Sequence, residues 1–134
     1  MTIADSTVWI DYFNNVTSAH TQRLDEDLSD KTVLLGDYVS LEVLRGFRLD
    51  RDVRNASALF SILPEVPMLG PARARQAATK YRSLRKRGIT VRKPNDAIIA
   101  SYCIDEGHEL LATDRDFRPY VLHLGLVLAI PLAT

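Results

Sequence analysis

Four acidic residues stand next to apolar segments, at positions from which a fold could bring them together. Asp5 follows the apolar run Thr2–Ala4, Asp114 follows a later apolar run, and Asp96 opens a segment rich in alanine and isoleucine. Glu42 lies among aliphatic residues. Two carboxylates about 4 Å apart repel each other by roughly 4 kcal/mol at an effective dielectric constant of about 20. A converged set therefore needs raised pKa values or a bound cation, and a set of oxygen ligands favours Mg²⁺ or Mn²⁺ over zinc.

Each of these acids also fits an ordinary structural role when it is considered alone. Asp5 and Asp96 stand where helices begin, so they could cap those helices or complement the helix dipole. Glu42 could lie on an exposed helix face, and Asp114 and Asp116 could be turn residues. Both interpretations stay open for each residue at this stage. The three histidines show no spacing typical of metal ligands: they are His20, His108 and His123.

The elements that position these acids follow from the pattern of apolar residues. Apolar runs bounded by turn residues predict strands, and spacings of three and four residues predict helices. Strands that alternate with long helical segments predict a three-layer α/β domain, with a central, mostly parallel sheet flanked by helices. Ligands of such a sheet gather at the carboxyl ends of its strands. The predicted strands are Thr2–Ala4, Thr32–Leu35, Val66–Leu69, Leu110–Thr113 and Leu122–Leu128, and the predicted helices are one through Val8 and Phe13, Ser18–Leu28, one through Val39 and Leu44 that ends near Gly46, Asp50–Leu63, Pro71–Arg87 and Asn95–Glu106.

The charged residues are unevenly distributed. The chain has 17 basic and 17 acidic residues and no net charge, yet 9 basic residues and no acidic residue lie between Arg73 and Lys93. A basic block beside an acid-rich remainder suggests a polyanionic partner, for which Arg82, Arg85 and Arg87 are candidate contacts. A solvated helix face explains the charge of the block equally well.

Length and composition limit the class of protein. The chain has 134 residues, of which 46% are hydrophobic and 25% are charged, the balance of an ordinary globular domain. The single cysteine, Cys103, excludes an intrachain disulfide framework and a thiolate zinc cluster. The N-terminus lacks the basic region of a signal peptide, and the apolar stretch Leu122–Leu132 is too short for a membrane span. We therefore expect one domain over residues 1–134, in the cytoplasm and without membrane contact.

Four blocks of sequence, in order and at fitting spacings, resemble the PIN domain and in particular the VapC ribonuclease toxins of toxin–antitoxin pairs. The first and second blocks place an aspartate after a short strand and a glutamate before two aliphatic residues. The third and fourth place an aspartate at the start of an Ala/Ile-rich helix and another aspartate after a strand. The blocks are Asp5-Ser6-Thr7-Val8-Trp9-Ile10-Asp11, Glu42-Val43-Leu44-Arg45-Gly46, Asp96-Ala97-Ile98-Ile99-Ala100 and Leu110-Leu111-Ala112-Thr113-Asp114-Arg115-Asp116-Phe117.

The resemblance implies a Mg²⁺-dependent endoribonuclease in which Mn²⁺ can substitute. Asp5, Glu42, Asp96 and Asp114 would be both catalytic residues and metal ligands, with Asp116 assisting through water. The expected products carry a 3′-hydroxyl and a 5′-phosphate. The expected partners are RNA, a cognate VapB-like antitoxin and a second copy of the chain, with a hetero-oligomer formed by toxin and antitoxin.

Arg115 stands between two acids, Asp114 and Asp116. It could contact a phosphate of the RNA, and a surface ion pair with either acid is an equally good interpretation.

Two other functions compete with the nuclease. A non-catalytic nucleic-acid or protein-binding module could retain the same fold, but acids at all four blocks argue against it, since a groove that only binds phosphates would gain affinity by losing negative charge. A phosphoacceptor receiver domain would need a lysine late in the chain, near the acids. The last lysine is Lys93, before two of the four acids, so we reject this alternative.

Overall fold

The computed structural model describes residues 1–133 and has a mixed α/β fold. From the first strand to the fourth, two helices lie between each strand and the next, the order that the apolar pattern predicts. The elements in chain order are β1 (Thr2–Ala4), α1 (Ser6–Phe13), α2 (Ala19–Ser29), β2 (Leu35–Gly36), α3 (Asp37–Gly46), α4 (Asp50–Phe60), β3 (Glu65–Val66), α5 (Pro71–Lys86), α6 (Asp96–Glu106), β4 (Glu109–Leu111), a 3₁₀ turn (Arg115–Phe117) and α7 (Arg118–Leu124).

All the strand pairings are parallel. β1 pairs with β4, with Ile3 opposite Leu110, and β2 pairs with β3. A bridge between Thr2 and Val33, just before β2, joins the two pairs, and Leu110 forms a further parallel bridge with Leu128. The order across the sheet is therefore β3, β2, β1, β4 and then Leu128. The predicted α/β fold with a parallel central sheet is confirmed.

The core lies around β1 and β4. Ile3, Leu110 and Leu111 are fully buried, which explains why these parallel strands consist of continuous apolar runs. Trp9 of α1 is also fully buried and packs edge-on against Phe60 of α4, with ring centroids 5.1 Å apart. In residues 1–133, no helix has both the length and the apolar character needed to cross a membrane.

The predicted strand Leu122–Leu128 is wrong. The first part of this apolar run belongs to α7, in which Tyr120 is fully buried while the Leu122 side chain is 68% exposed. Gly125 then ends the helix in the left-handed conformation, with φ of 82°. The chain therefore changes direction at Gly125, and the end of the run reaches the sheet, where Val127 and Leu128 lie beside Leu110.

Smaller differences concern element boundaries. The predicted strand Thr32–Leu35 is displaced to Leu35–Gly36, and the predicted strand Val66–Leu69 is displaced to Glu65–Val66. Helix α4 ends at Phe60, before the predicted limit at Leu63. The boundaries of a strand depend on its hydrogen bonds with an adjacent strand, and the apolar pattern of the sequence does not contain that information.

The start of α3 is fixed by close packing on Met68. A Cβ atom on Gly36 would lie 2.1 Å from the Met68 sulfur, so only glycine fits there without displacing this buried side chain. The next residue, Asp37, accepts a hydrogen bond of 2.9 Å from the Met68 backbone N–H. These contacts position α3, the helix that holds Glu42.

Candidate active site

Two of the acids lie at the same edge of the sheet. β1 and β4 are adjacent and parallel, so their carboxyl ends meet, with Asp5 directly after β1 and Asp114 three residues after β4. The Asp5 backbone N–H donates a hydrogen bond of 2.9 Å to the Leu111 carbonyl, which holds the two chain segments together at this edge. The edge is the place where a parallel sheet is expected to bind ligands.

Three carboxylates form a tight group. One oxygen from each of Asp96, Asp114 and Asp116 lies within 4.8 Å of the others. The 3₁₀ turn brings Asp116 into this group, because Asp114 Oδ1 accepts a hydrogen bond of 2.9 Å from the Asp116 N–H. The family resemblance implied an assisting role for Asp116, and the structure places one of its carboxylate oxygens within 4.8 Å of an oxygen of Asp96 and of Asp114.

Asp5 interacts electrostatically with Asp96 and Asp114 of the tight group, and Glu42 interacts with Asp5. Burial raises the pKa of Asp5 to about 6, and the charges of Glu42 and Asp114 add to the rise. Burial also raises the pKa of Glu42, although the Arg45 charge and the Ser6 hydroxyl oppose it. Asp5 stands at the N-cap position of α1 but forms no side-chain capping bond, so its carboxylate is not occupied by that structural role.

Asp96 is the first residue of α6 and has an unusual environment. Burial, followed by the charges of Asp5 and Asp114, raises its pKa to about 7. Its Oδ2 atom is buried and has no hydrogen-bond partner among residues 1–133. The N-cap position is taken by Asn95, so Asp96 does not cap the helix as the structural interpretation required.

A lysine that sequence reasoning did not assign to the site lies within it. The Lys93 Nζ atom is 2.5 Å from Oδ2 of Asp114 and 3.9 Å from Oδ2 of Asp116. Burial alone would raise the pKa of Asp114, but hydrogen bonds from Lys93 and from the Asp116 amide hold that pKa below its usual value. The available signal was the position of Lys93, three residues before Asp96 at the end of the basic segment.

Tyr38 is a second residue that sequence reasoning missed. It lies one turn before Glu42 on α3. Burial and the negative charge of Glu42 raise the pKa of its phenol, and a hydrogen bond with Asn95 opposes the rise. Tyr38 therefore lies close enough to Glu42 and Asp96 to interact with their charges.

The site fits a hard divalent cation. The buried Oδ2 atom of Asp96 lacks a protein partner within residues 1–133, and a bound cation would satisfy it. The donors are all carboxylate oxygens, the ligands that Mg²⁺ and Mn²⁺ prefer. The ammonium group of Lys93 already lies against two of these carboxylates, which demonstrates that the group attracts positive charge.

The basic segment, residues Arg73 to Lys93, contains two sets of basic residues. Arg73 pairs with Glu106 at 2.8 Å, and Lys80 pairs with Asp105 at 2.7 Å. These ion pairs tie α5 to α6 and have a structural function. The exposed arginines of the predicted RNA surface, Arg82, Arg85 and Arg87, lie on or just after α5.

The predicted RNA contacts differ in their surroundings. Arg87 has one local contact, 2.9 Å from Nδ1 of His123, whereas Arg82 and Arg85 form no ion pair with a residue that the structure describes. Arg115 is exposed in the 3₁₀ turn between Asp114 and Asp116, and no ion pair occupies it within residues 1–133.

Comparison with known families agrees with this geometry. The family sequence model of the PIN domain matches residues 2–120, a range that contains all five acids of the site. The chain belongs to the PIN domain family. The match confirms the family that the four sequence blocks indicated, and it covers the elements from β1 through the 3₁₀ turn and the first residues of α7.

Among PIN domain proteins, the chain is similar to two mycobacterial ribonucleases. They are "VapC ribonuclease Mb1587" of Mycobacterium bovis and "Ribonuclease VapC11" of Mycobacterium tuberculosis. Each is 29% identical to this chain over 119 residues, which covers 87% of this chain and 89% of the relative.

A solved structure shares the PIN fold over nearly the whole chain. It is VapBC2 from Rickettsia felis bound to a DNA fragment from their promoter, with a TM-score of 0.74. The alignment covers 99% of this chain and 98% of the other at 14% sequence identity. This likeness is one of fold, and it supports the arrangement of the sheet and helices.

Proposed function

We propose that this protein is a Mg²⁺-dependent endoribonuclease and the toxin of a type II toxin–antitoxin pair. It hydrolyses RNA phosphodiester bonds to leave a 3′-hydroxyl and a 5′-phosphate, and Mn²⁺ substitutes for Mg²⁺. The observation that carries the proposal is the acidic group at the carboxyl edge of the sheet, in which a buried oxygen of Asp96 lacks a partner among residues 1–133. The similarity to VapC ribonucleases over most of the chain supports the same activity.

The acids have distinct roles in this proposal. Asp5, Glu42, Asp96 and Asp114 hold the metal, and Asp116 assists through water. When bound, the metal orients the phosphodiester, lowers the pKa of a water molecule and stabilises charge on the leaving oxygen. Asp5 and Glu42 lie outside the tight group and both have raised pKa values, so whichever of the two is less engaged with the metal would accept a proton from the attacking water.

Exposed arginines hold the RNA backbone. Arg82, Arg85 and Arg87 bind phosphates on the surface of α5, and Arg115 binds phosphate beside the acids. Since α5 packs against α6, which begins at Asp96, RNA along α5 can extend toward the metal site. Phosphate contacts of this kind give affinity without sequence specificity.

The proposed partners follow from the relatives. The similar fold comes from a VapBC complex, which favours a VapB-like antitoxin for this chain. We also propose a homodimer, a hetero-oligomer with the antitoxin, and a cytoplasmic location where RNA is available. A non-catalytic binding module is the less favoured alternative, because it gives no reason for the five acids at the sheet edge.

Metal dependence tests the proposed activity. Purified protein should cut RNA with Mg²⁺ or Mn²⁺ and lose this activity in EDTA, because the carboxylates alone repel phosphate. Ca²⁺ should restore activity poorly, since it accepts a looser coordination geometry. Gel analysis of a labelled RNA measures the cleavage, and undiminished cleavage in EDTA would contradict the proposed mechanism. RNA binding without cleavage at any metal concentration would favour the binding module instead.

A further inference from the structure

Among the basic residues from Arg73 to Lys93, Lys93 directly contacts the tight group of Asp96, Asp114 and Asp116. Within residues 1–133, the other ion pairs of the basic segment join Arg73 to Glu106 and Lys80 to Asp105, away from the site. Lys93 instead lies against Asp114 and Asp116. Its ammonium group is therefore close to the carboxylates that the proposed function assigns to the metal and its surroundings.

The backbone of Lys93 is anchored while its side chain is free to move. The Lys93 carbonyl accepts a hydrogen bond of 3.0 Å from the Asp96 N–H, and Pro94 follows directly, so the turn before α6 fixes where the lysine begins. The Lys93 side chain is 58% exposed, compared with 26% for Asp114. The ammonium group can thus leave the acids by rotation about side-chain bonds, without movement of α6.

We propose that Lys93 is the built-in counter-ion of the metal-free site and that a divalent metal must displace its ammonium group from Asp114 and Asp116. This inference rests on the proposed function, because it concerns the same metal site. Lys93 neutralises part of the acidic group when no metal is bound, so it protects the fold from charge repulsion. The same contact lowers the affinity for metal, because binding requires breaking the ion pair.

Arg92 provides the matched control for this inference. It is adjacent in sequence, exposed and positively charged, and it forms no ion pair with any residue in the described part of the chain. Its removal changes net charge by the same amount as removal of Lys93. The difference between the two variants therefore measures the direct contact with the acids, apart from the general effect of charge on cation binding.

Amine labelling of the wild-type protein tests the displacement. A brief pulse of an acetylating reagent, followed by peptide mass spectrometry, measures the reactivity of each lysine with EDTA or with saturating Mg²⁺ at matched ionic strength. Lys93 should react faster with Mg²⁺, because the ammonium group leaves the acids. Lys86, an exposed lysine without an ion pair in residues 1–133, should not change. Equal labelling of Lys93 in the two conditions would overturn the inference.

Metal affinity gives the second test. Calorimetric titration of Mn²⁺ into RNA-free protein should show tighter binding for Lys93→Met than for Arg92→Met, by about two- to fivefold, the range expected for a partly exposed ion pair. Equal affinities, or weaker binding by Lys93→Met, would overturn the inference. Failure of the proposed function is distinguishable, since a protein that binds Mn²⁺ and releases Lys93 without cutting RNA would reject only the nuclease.

Discussion

At the scale of single residues, the unfavourable environment of Asp96 is best explained by function. Its pKa is raised to about 7 by burial and by neighbouring acids, and its buried Oδ2 atom has no partner in residues 1–133. A carboxyl group in this state costs folding free energy when it is ionised, because its buried Oδ2 atom is neither solvated nor hydrogen-bonded within residues 1–133. A site that binds a cation accounts for this cost, whereas a helix cap or a turn does not.

The pH dependence of stability tests this interpretation of Asp96. A raised pKa means that the stability of the metal-free protein is full below the ordinary value of 3.8 and decreases as pH rises toward about 7. In EDTA, Asp96→Asn should therefore be as stable as wild type near pH 4 and more stable near pH 7.5, by roughly 1 kcal/mol after allowance for partial exposure. Denaturant unfolding at several pH values measures the difference.

Saturating Mg²⁺ should reduce or reverse the difference in stability between Asp96→Asn and wild type. Wild type gains about 2.7 kcal/mol when the metal is at 100 times Kd, and the variant has lost part of that binding. A variant that unfolds well before wild type in EDTA at every pH would instead identify Asp96 as a structural residue.

The acids of the site were largely predictable, whereas Lys93 and Tyr38 were missed. Strand ends and helix starts are visible in sequence, so Asp5, Asp96 and Asp114 could be placed at one edge of a sheet from the sequence alone. The contact of Lys93 with Asp114 could not, because it depends on the path of the segment between α5 and α6. No periodic pattern in the sequence encodes that path.

At the scale of elements, the helices were predicted better than the strands. Capping residues and apolar periodicity place all four ends of the helices Ala19–Ser29 and Asp96–Glu106 within one residue of the observed positions. The run Leu122–Leu128 misled because an apolar run fits a buried strand or a partly exposed helix equally well. Gly125 decides the outcome, since its left-handed conformation ends α7 inside the run.

The packing of Gly36 against Met68 makes the position of α3 testable. Gly36→Ala should destabilise the protein by about 1–3 kcal/mol, because the new methyl group overlaps a buried side chain. Gly46→Ala, at the other end of α3, is the control: its Cβ would lie 3.5 Å from Ile10 Cδ1, an ordinary contact. Equal midpoints for these two variants in a denaturant titration would show that Met68 repacks and does not fix α3.

The surface of α5 is the element proposed to bind RNA. Replacement of Arg82, Arg85 and Arg87 by alanine should weaken RNA binding and flatten its salt dependence, by roughly 0.7 to 0.9 in log–log slope for each phosphate that the variant no longer neutralises. The control replaces three exposed arginines in and before α4, which removes the same charge elsewhere: they are Arg48, Arg51 and Arg54.

Binding of a fluorescent RNA at several salt concentrations distinguishes the two sets. An unchanged slope in the α5 variant, or the same change in both variants, would return this segment to a solvated helix face. Metal affinity should stay nearly constant in the α5 variant, because these arginines form no ion pair with the acids of the site in residues 1–133.

At the scale of the whole molecule, the net charge of zero is the sum of an acid-rich surface and an arginine-rich surface. The acids gather at the carboxyl edge of the sheet, and the exposed arginines lie along α5. In the proposed function, the arginines would attract a polyanion, and the acids would hold the cation that allows a phosphodiester to approach them. This division of charge is consistent with membership of the PIN domain family and with similarity to VapC ribonucleases.

The central claim is that the acidic group at the sheet edge is the metal-dependent catalytic site, and RNA cleavage by Asp96→Asn tests it most directly. Asparagine keeps the size of the side chain and removes one charge from the group. The control is Glu26→Gln, an equal loss of charge at an exposed position on α2. With saturating Mg²⁺, Asp96→Asn should lose at least about 100-fold in cleavage rate, the scale of one essential catalytic group, while Glu26→Gln cuts like wild type. A folded Asp96→Asn protein that cuts RNA at a rate near that of wild type would contradict the account.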